Sequence, residues 1–173
     1  MGCAYRLGAA ERTLPGGYQQ LAIPVFQNRT AEVGIETAFT NAIIREFARS
    51  KVARVVAADV APLRLEGTLE DLKIENRSAA LEGEIKSLPA GAVLTTEYRI
   101  VVRTVLRLVR LSDQAVVWEG SFVNEKVYPA PRIGAAVVNS ANVLYNQSAR
   151  RQNIANLATE MMEEAHSRMT ENF

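Results

Sequence analysis

The most reactive side chain in this sequence, that of Cys3, stands at the amino terminus and is the only cysteine. A lone thiol cannot form an internal disulfide, and a terminal tail is a poor place to hold a nucleophile in a fixed geometry. Cys3 is therefore an inert thiol, a palmitoylated neighbour of a myristoylated Gly2, or the acylated first residue of a bacterial lipoprotein. The second pattern needs Ser or Thr at position six, where Arg6 stands.

The remaining chemically active residues do not form a catalytic pattern. His166 is the only histidine, and its neighbours Glu163, Glu164 and Arg168 predict an exposed helical position. With no second His and no nearby Cys, the sequence offers no zinc-type ligand set. It also has no glycine-rich loop that could hold a phosphate. We therefore predict a non-enzymatic protein without a cofactor.

Size and charge further limit the classes of function that the sequence allows. The chain has 173 residues, of which 48% are hydrophobic and 23% charged, with a net charge of +1. This length suits one domain, which we place at residues 19–173 behind a tail, residues 1–18, that carries Cys3. A net charge near zero argues against a nucleic-acid partner, since such proteins carry a basic surplus. No apolar run reaches the length of a membrane span.

The first half of the chain predicts a strand, a helix and further strands. Residues 19–28 form a strand candidate with Leu21, Ile23 and Val25 on one face, and Pro24 favours a sheet edge because it cannot donate a hydrogen bond. A helix at residues 35–51 is predicted from an apolar stripe. The stripe comprises Ile35, Phe39, Ala42, Ile43 and Phe47.

A short strand at residues 53–58 precedes a longer one, residues 62–75. In the longer strand the apolar alternation reverses between Leu69 and Leu72, which predicts a β-bulge near residues 70–71. Residues 76–93 are polar and contain Gly and Pro, so we predict a long loop.

Residues 94–111 and 115–128 predict a hairpin with a turn at residues 112–114. In the register that this turn favours, Leu108 faces Trp118 in the core and Arg107 faces Glu119 on the outside. The outward face of the first strand mixes arginines with valines, which is apolar for a solvated strand. We predict that this face contacts a partner. Its predicted contact residues are Val101, Arg103, Val105 and Arg107, with Val109 also exposed.

The chain ends in a second predicted helix with Ser148 as its N-cap. Before it, residues 129–147 form a connecting segment with an apolar run, IGAAVV. The buried stripe of the helix comprises Ile154, Leu157, Ala158, Met161, Ala165 and Met169. The order of elements predicts an α+β fold. In this two-layer sandwich, two helices pack on one face of a mainly antiparallel sheet of four to five strands.

Several stretches of this sequence resemble the lipopolysaccharide-assembly lipoprotein family, LptE. They are GCAYRLG, LAIPVFQNRT and the helix that follows it, TEYRIVV and VVWEGSF. The resemblance covers most of the chain as a pattern of fold positions and includes no active-site motif. The matching residues are Cys3, Tyr5, Arg6, Leu7, Ile23, Val25, Phe26, Asn28, Thr30, Thr40, Ala42, Phe47, Glu97, Tyr98 and Arg99.

The resemblance implies a protein that plugs and helps to assemble the outer-membrane β-barrel that inserts lipopolysaccharide, an LptD-like partner. It implies that Cys3 carries acyl chains that hold the protein on the periplasmic side of the outer membrane, because several chains together anchor stably. It also implies contact with lipopolysaccharide through basic loops. The hairpin topology brings the loops before residue 94 and after residue 128 to one end of the sheet. Their basic residues are Arg77, Lys86, Lys126 and Arg132.

Two other classes of protein remain open. IPVFQNRT followed by a helix also resembles other periplasmic lipoproteins, such as activators of peptidoglycan synthases and curli-secretion proteins. These bind different partners. A small hydrolase would need a catalytic pair, for which Glu97 and His166 are the residues to substitute.

Overall fold

The computed structural model describes residues 12–80, 94–129 and 143–171. The predicted positions Cys3, Lys86 and Arg132 and the apolar run at residues 133–138 lie outside these ranges. The elements in chain order are β1 (Gln20–Leu21), β2 (Gln27–Asn28), α1 (Ile35–Ser50), β3 (Arg54–Val55), β4 (Leu63–Ala80), β5 (Leu94–Arg110), β6 (Val116–Pro129) and α2 (Val143–Thr170).

The main sheet has four strands in the order β2-β4-β5-β6. β4, β5 and β6 pair antiparallel, and β2 joins β4 in parallel. β1 and β3 form a separate parallel pair, which meets β4 through a bridge between Ala22 and Arg64. α1 and α2 pack on each other, and α2 also packs on β6. The predicted α+β arrangement of two helices on a mainly antiparallel sheet is confirmed.

The predicted hairpin register is confirmed, with Arg107 opposite Glu119 and Leu108 opposite Trp118. The predicted bulge is present as a register shift between Leu69 and Asp71. The predicted start of the loop, at residue 76, is wrong, because β4 continues to Ala80. Pairing with β5 gives these polar residues the ladder hydrogen bonds that their own β-propensity does not predict.

The first predicted strand is also wrong in part, because it divides into β1 and β2 on either side of Pro24. Val25 is 63% exposed, whereas Phe26 is 3% exposed and belongs to the core. Gly67 on β4 makes this possible, since a Cβ atom there would lie 2.4 Å from the Phe26 ring. The Phe26 N–H donates to Thr40 Oγ1 at 3.0 Å, which fixes the turn to α1. β2 lies at the sheet edge, as Pro24 predicted.

Both predicted helix stripes are buried, in α1 and in α2. α1 starts after Gly34, whose φ of 89° is left-handed, and ends where the N–H of Lys51 bonds Phe47 O. α2 starts earlier than predicted, at Val143, so Ser148 lies inside the helix and is not its N-cap. The sequence between Val143 and Ser148 contains no Gly or Pro to prevent this earlier start.

The prediction that His166 is exposed is wrong, because only 3% of the residue is accessible. α1 lies against this part of α2, and the Phe47 ring meets the imidazole edge-on with 4.8 Å between the centroids. Nε2 of His166 lies 2.8 Å from Ser50 Oγ. Burial lowers the pKa of His166, which favours the neutral form of the ring between the helices.

Candidate functional site

We call the sheet surface that points away from the helices the outer face. Alternate residues of β5 supply it, because successive strand side chains point to opposite sides. The residues between them, such as Val102, Leu106 and Leu108, are fully buried against the helices. Val101 and Val105 are half-buried, whereas Arg103 and Arg107 are exposed. The structure thus places the four predicted contact residues on one face.

Two arginines of β5 on the outer face have carboxylate partners. Arg99 bonds Glu125 on β6, and its Nη1 lies 3.8 Å from Glu75 Oε2 on β4. Hydrogen bonding to Glu125 raises the pKa of Arg99 above its usual value. Arg107 donates from Nε to Glu119 Oε2 at 2.9 Å. These charges are neutralised within the sheet.

Arg103 differs from them, because it forms no ion pair with any residue that the structure describes. Asp71 stands opposite it on β4, but the Asp71 carboxylate lies 3.3 Å from Lys73 Nζ. On β6 the residue opposite Arg103 is Val123, which is 54% exposed. Val123 was not among the predicted contact residues, although the alternation of β6 places it on this face.

A groove of about 410 Å³ lies beside these outer-face residues. It is at the edge of the sheet, where Pro24 interrupts the chain between β1 and β2. Val25 and Val105 contribute apolar surface to it. Its charged lining is mixed, with two arginines and two glutamates: Arg29, Arg107, Glu66 and Glu70. Its shape follows from the break at Pro24, which the sequence did not predict. Val109, predicted to be exposed, is 6% exposed and adds nothing to the outer face.

The second predicted surface is the end of the sheet that we call the loop end. Ala80 pairs with Leu94, and Glu97 pairs with Pro129, so β4, β5 and β6 meet there as the topology predicted. Arg77 is exposed near this end.

Lys126 also lies near the loop end, opposite Ile100 on the helix side of the sheet. Its Nζ is 2.5 Å from Glu160 Oε1 of α2. The structure therefore describes two residues of the predicted basic cluster. Arg77 is exposed, whereas Lys126 is paired with a carboxylate.

Residues that carried the family resemblance stabilise the loop end. Tyr98 stacks on Tyr128 at 5.5 Å between ring centroids, and burial raises the pKa of Tyr128. Asn28 donates to Glu32 O at 2.7 Å and to Glu36 Oε2 at 2.8 Å. The Glu32 carboxylate bonds Arg150 of α2. These contacts join the first loop to the second helix.

Within residues 12–80, 94–129 and 143–171, no three His, Cys, Asp or Glu side chains are grouped so that they could hold a metal ion. Neither described helix is long and apolar enough to cross a membrane.

Several solved structures share this fold. The PelC dodecamer from Paraburkholderia phytofirmans is 14% identical, with a TM-score of 0.52, 89% of this chain covered and 90% of that chain. A putative lipoprotein from Caulobacter crescentus is 9% identical, with a TM-score of 0.50 and coverage of 84% and 88%. At such identities these likenesses show the fold alone.

No curated protein matches the chain in sequence. The family model described as "LptE: Lipopolysaccharide-assembly" matches residues 18–169, which is most of the chain. The predicted resemblance is confirmed, and the chain belongs to the LptE lipopolysaccharide-assembly family.

Proposed function

We propose that this protein is a non-enzymatic outer-membrane lipoprotein that plugs and helps to assemble the β-barrel inserting lipopolysaccharide into the outer leaflet. The observation that carries the proposal is the family match over residues 18–169. The structure supports it with a sheet that has two different faces. One face packs on the helices to form the core, and the outer face carries half-buried and exposed side chains, such as Val101, Arg103 and Val105, that are accessible to a partner. Copurification of the chain from native membranes tests it. Recovery of a peptidoglycan synthase or a curli-secretion channel instead of the barrel contradicts it.

The proposed anchor is Cys3, acylated after removal of the residues before it. Several acyl chains bind a membrane stably, whereas one binds only marginally. Mass spectrometry of the amino terminus of protein from native membranes tests this step. We expect acylated Cys3 with Met1 and Gly2 absent, and a free thiol there contradicts the anchor.

We further propose that the outer face contacts the barrel through Val101, Arg103, Val105 and Arg107. Its half-buried valines lie beside arginines, and arginine is enriched in protein interfaces relative to the rest of the surface. Hydrogen exchange tests the contact. We expect β5 and residues 133–138 to gain protection in the complex, with the exposed side of α1 as the control. Unchanged exchange of β5 removes the outer face from the interface.

At the loop end we propose contact with lipopolysaccharide through Arg77, Lys86, Lys126 and Arg132. The phosphates of lipid A accept charge-assisted hydrogen bonds from Arg and Lys. For Lys126 this requires exchanging Glu160 for a phosphate, and the two side chains are partly exposed, at 29% and 50%. Exposed ion pairs are weak, so the exchange costs little.

The test of the loop end replaces all four basic residues by Ser and measures lipopolysaccharide binding alongside folding. We expect a large loss of binding by a folded protein. A matched control removes the same amount of charge elsewhere and should bind nearly as well as the wild type. Intact binding by the loop-end variant, or an equal loss in the control, contradicts the proposal. The control positions are Arg45, Arg54, Lys73 and Arg168.

A further inference from the structure

Among the described arginines that β5 contributes to the outer face, one has a charge that the sheet leaves uncompensated. Arg99 and Arg107, each four residues from Arg103 along β5, are bound by Glu125 and by Glu119. Arg103 forms no ion pair within the part of the chain that the structure describes. Since Lys73 holds the carboxylate of Asp71, the residue opposite Arg103 on β4 does not neutralise it.

The surroundings of Arg103 are apolar on three sides. Val101 and Val105 are its neighbours on the same face of β5, and Val123 lies directly across on β6. The groove of about 410 Å³ begins beside Val105 and includes the 63% exposed Val25. An exposed cation ringed by partly exposed valines is the arrangement of an interface anchor with a water-excluding rim.

We propose that Arg103 anchors the barrel interaction by binding a carboxylate on the wall of the barrel, with Val101, Val105 and Val123 excluding water around the pair. This inference rests on the proposed function, because it takes the barrel as the partner. A partner that covers the outer face strips water from the guanidinium. A buried charge must then be paired and hydrogen-bonded. A carboxylate meets both needs, since it accepts two parallel hydrogen bonds from the planar guanidinium.

From this arrangement we expect a lysine to bind the carboxylate less well at this position. Lysine presents a compact ammonium on a flexible stem, and it cannot form the two parallel N–H bonds of the arginine fork. Arg99 donates from Nε and Nη2 to Glu125, and Arg107 donates from Nε to Glu119. Because both charges already have a carboxylate partner in this chain, covering them requires no new carboxylate. The partner is therefore expected to supply one acidic side chain within a mainly apolar patch.

The test uses the full acylated chain coexpressed with its barrel and purified in detergent, with dissociation of the complex measured by competition. We expect Arg103→Ala to speed dissociation by at least about tenfold, and Arg103→Lys to give an intermediate effect. We expect Arg107→Ala, which removes a contact residue whose charge Glu119 already balances, to speed dissociation less than Arg103→Ala does. Arg45→Ala on the exposed side of α1 is the matched control and should behave as the wild type. Thermal unfolding of each free variant checks that the fold is kept.

The outcomes separate the inference from the proposed function. If the wild-type chain does not bind the barrel, both fail. If the wild type binds and Arg103→Ala dissociates at the wild-type rate, the anchor is wrong while the barrel partnership stands. If Asp71→Asn weakens the complex as much as Arg103→Ala, the arginine pairs within its own chain on binding, and the proposed carboxylate of the barrel is wrong.

Discussion

The two faces of β5 differ in how deeply their side chains are buried and in the charge that they carry. Towards the helices, Ile100, Val102, Leu106 and Leu108 are fully buried. Away from them, the strand alternates valines with arginines. Arg99 and Arg107 are paired with carboxylates, whereas Arg103 has no ion pair within the described part of the chain. Burial of apolar surface contributes far more to stability than exposed ion pairs do. The comparison indicates that the inner face determines the fold, while the outer face can vary with the partner at little cost to folding.

The largest expected effect on stability comes from a substitution on the inner face. Leu106→Ala removes a fully buried side chain and should lower the free energy of unfolding by about 3 kcal/mol. Val105→Ala, one residue along on the outer face, should cost less than about 1 kcal/mol because the side chain is only half-buried. Urea unfolding of the two variants measures the difference. Equal losses would show that the two faces contribute alike.

Alternation assigned the two faces of β5 correctly from Ile100 to Leu108, but it placed Val109, which is buried, on the exposed face. Period-two spacing placed Val101, Arg103, Val105 and Arg107 on one side, and the reversal after Leu69 revealed the bulge. What the sequence did not show is which arginine is unpaired. That depends on the bulge, which sets Asp71 opposite Arg103, and on Lys73, which holds the Asp71 carboxylate. Such competition between side chains is decided by geometry in three dimensions.

The errors in the helices and the first strand have the same origin in tertiary contacts. His166 looked exposed because charged residues flank it, yet Met162 and His166 continue a buried row at four-residue steps that α1 covers. Phe26 turns inward because Gly67, on a strand far along the chain, leaves room for its ring. Neither contact is visible in the local pattern.

A buried polar atom on the inner face offers the next prediction. Thr104 is fully buried, and its Oγ1 has no hydrogen-bond partner among the described residues. Thr104→Val keeps the shape and removes the unsatisfied hydroxyl, so it should stabilise the protein by about 1 kcal/mol. Thr104→Ser keeps the hydroxyl, loses a methyl group and should destabilise the protein. A loss of stability on Thr104→Val would indicate that the hydroxyl is satisfied in solution.

The helix layer behind the inner face should respond to pH through His166. Burial lowers the pKa of His166, and Arg12 and Arg49 act in the same direction, while Glu46 opposes them. The unfolded chain therefore binds a proton more readily than the folded one, and stability falls as the pH drops below about 6.5. His166→Gln should lack this part of the pH dependence. Unfolding of both proteins between pH 5 and pH 8 measures it, and identical slopes would contradict it.

The smallest expected effect tests whether outer-face ion pairs stabilise the fold at all. Arg107 and Glu119 are 54% and 50% exposed in their side chains, so water and salt screen their attraction. A double-mutant cycle with Arg107→Ala and Glu119→Ala should give a coupling of no more than about 0.5 kcal/mol, which declines as salt is added. A coupling several times larger and insensitive to salt would make this pair a structural element. Its arginine would then resemble the core residues behind it, and the division between the two faces of β5 would not hold at that position.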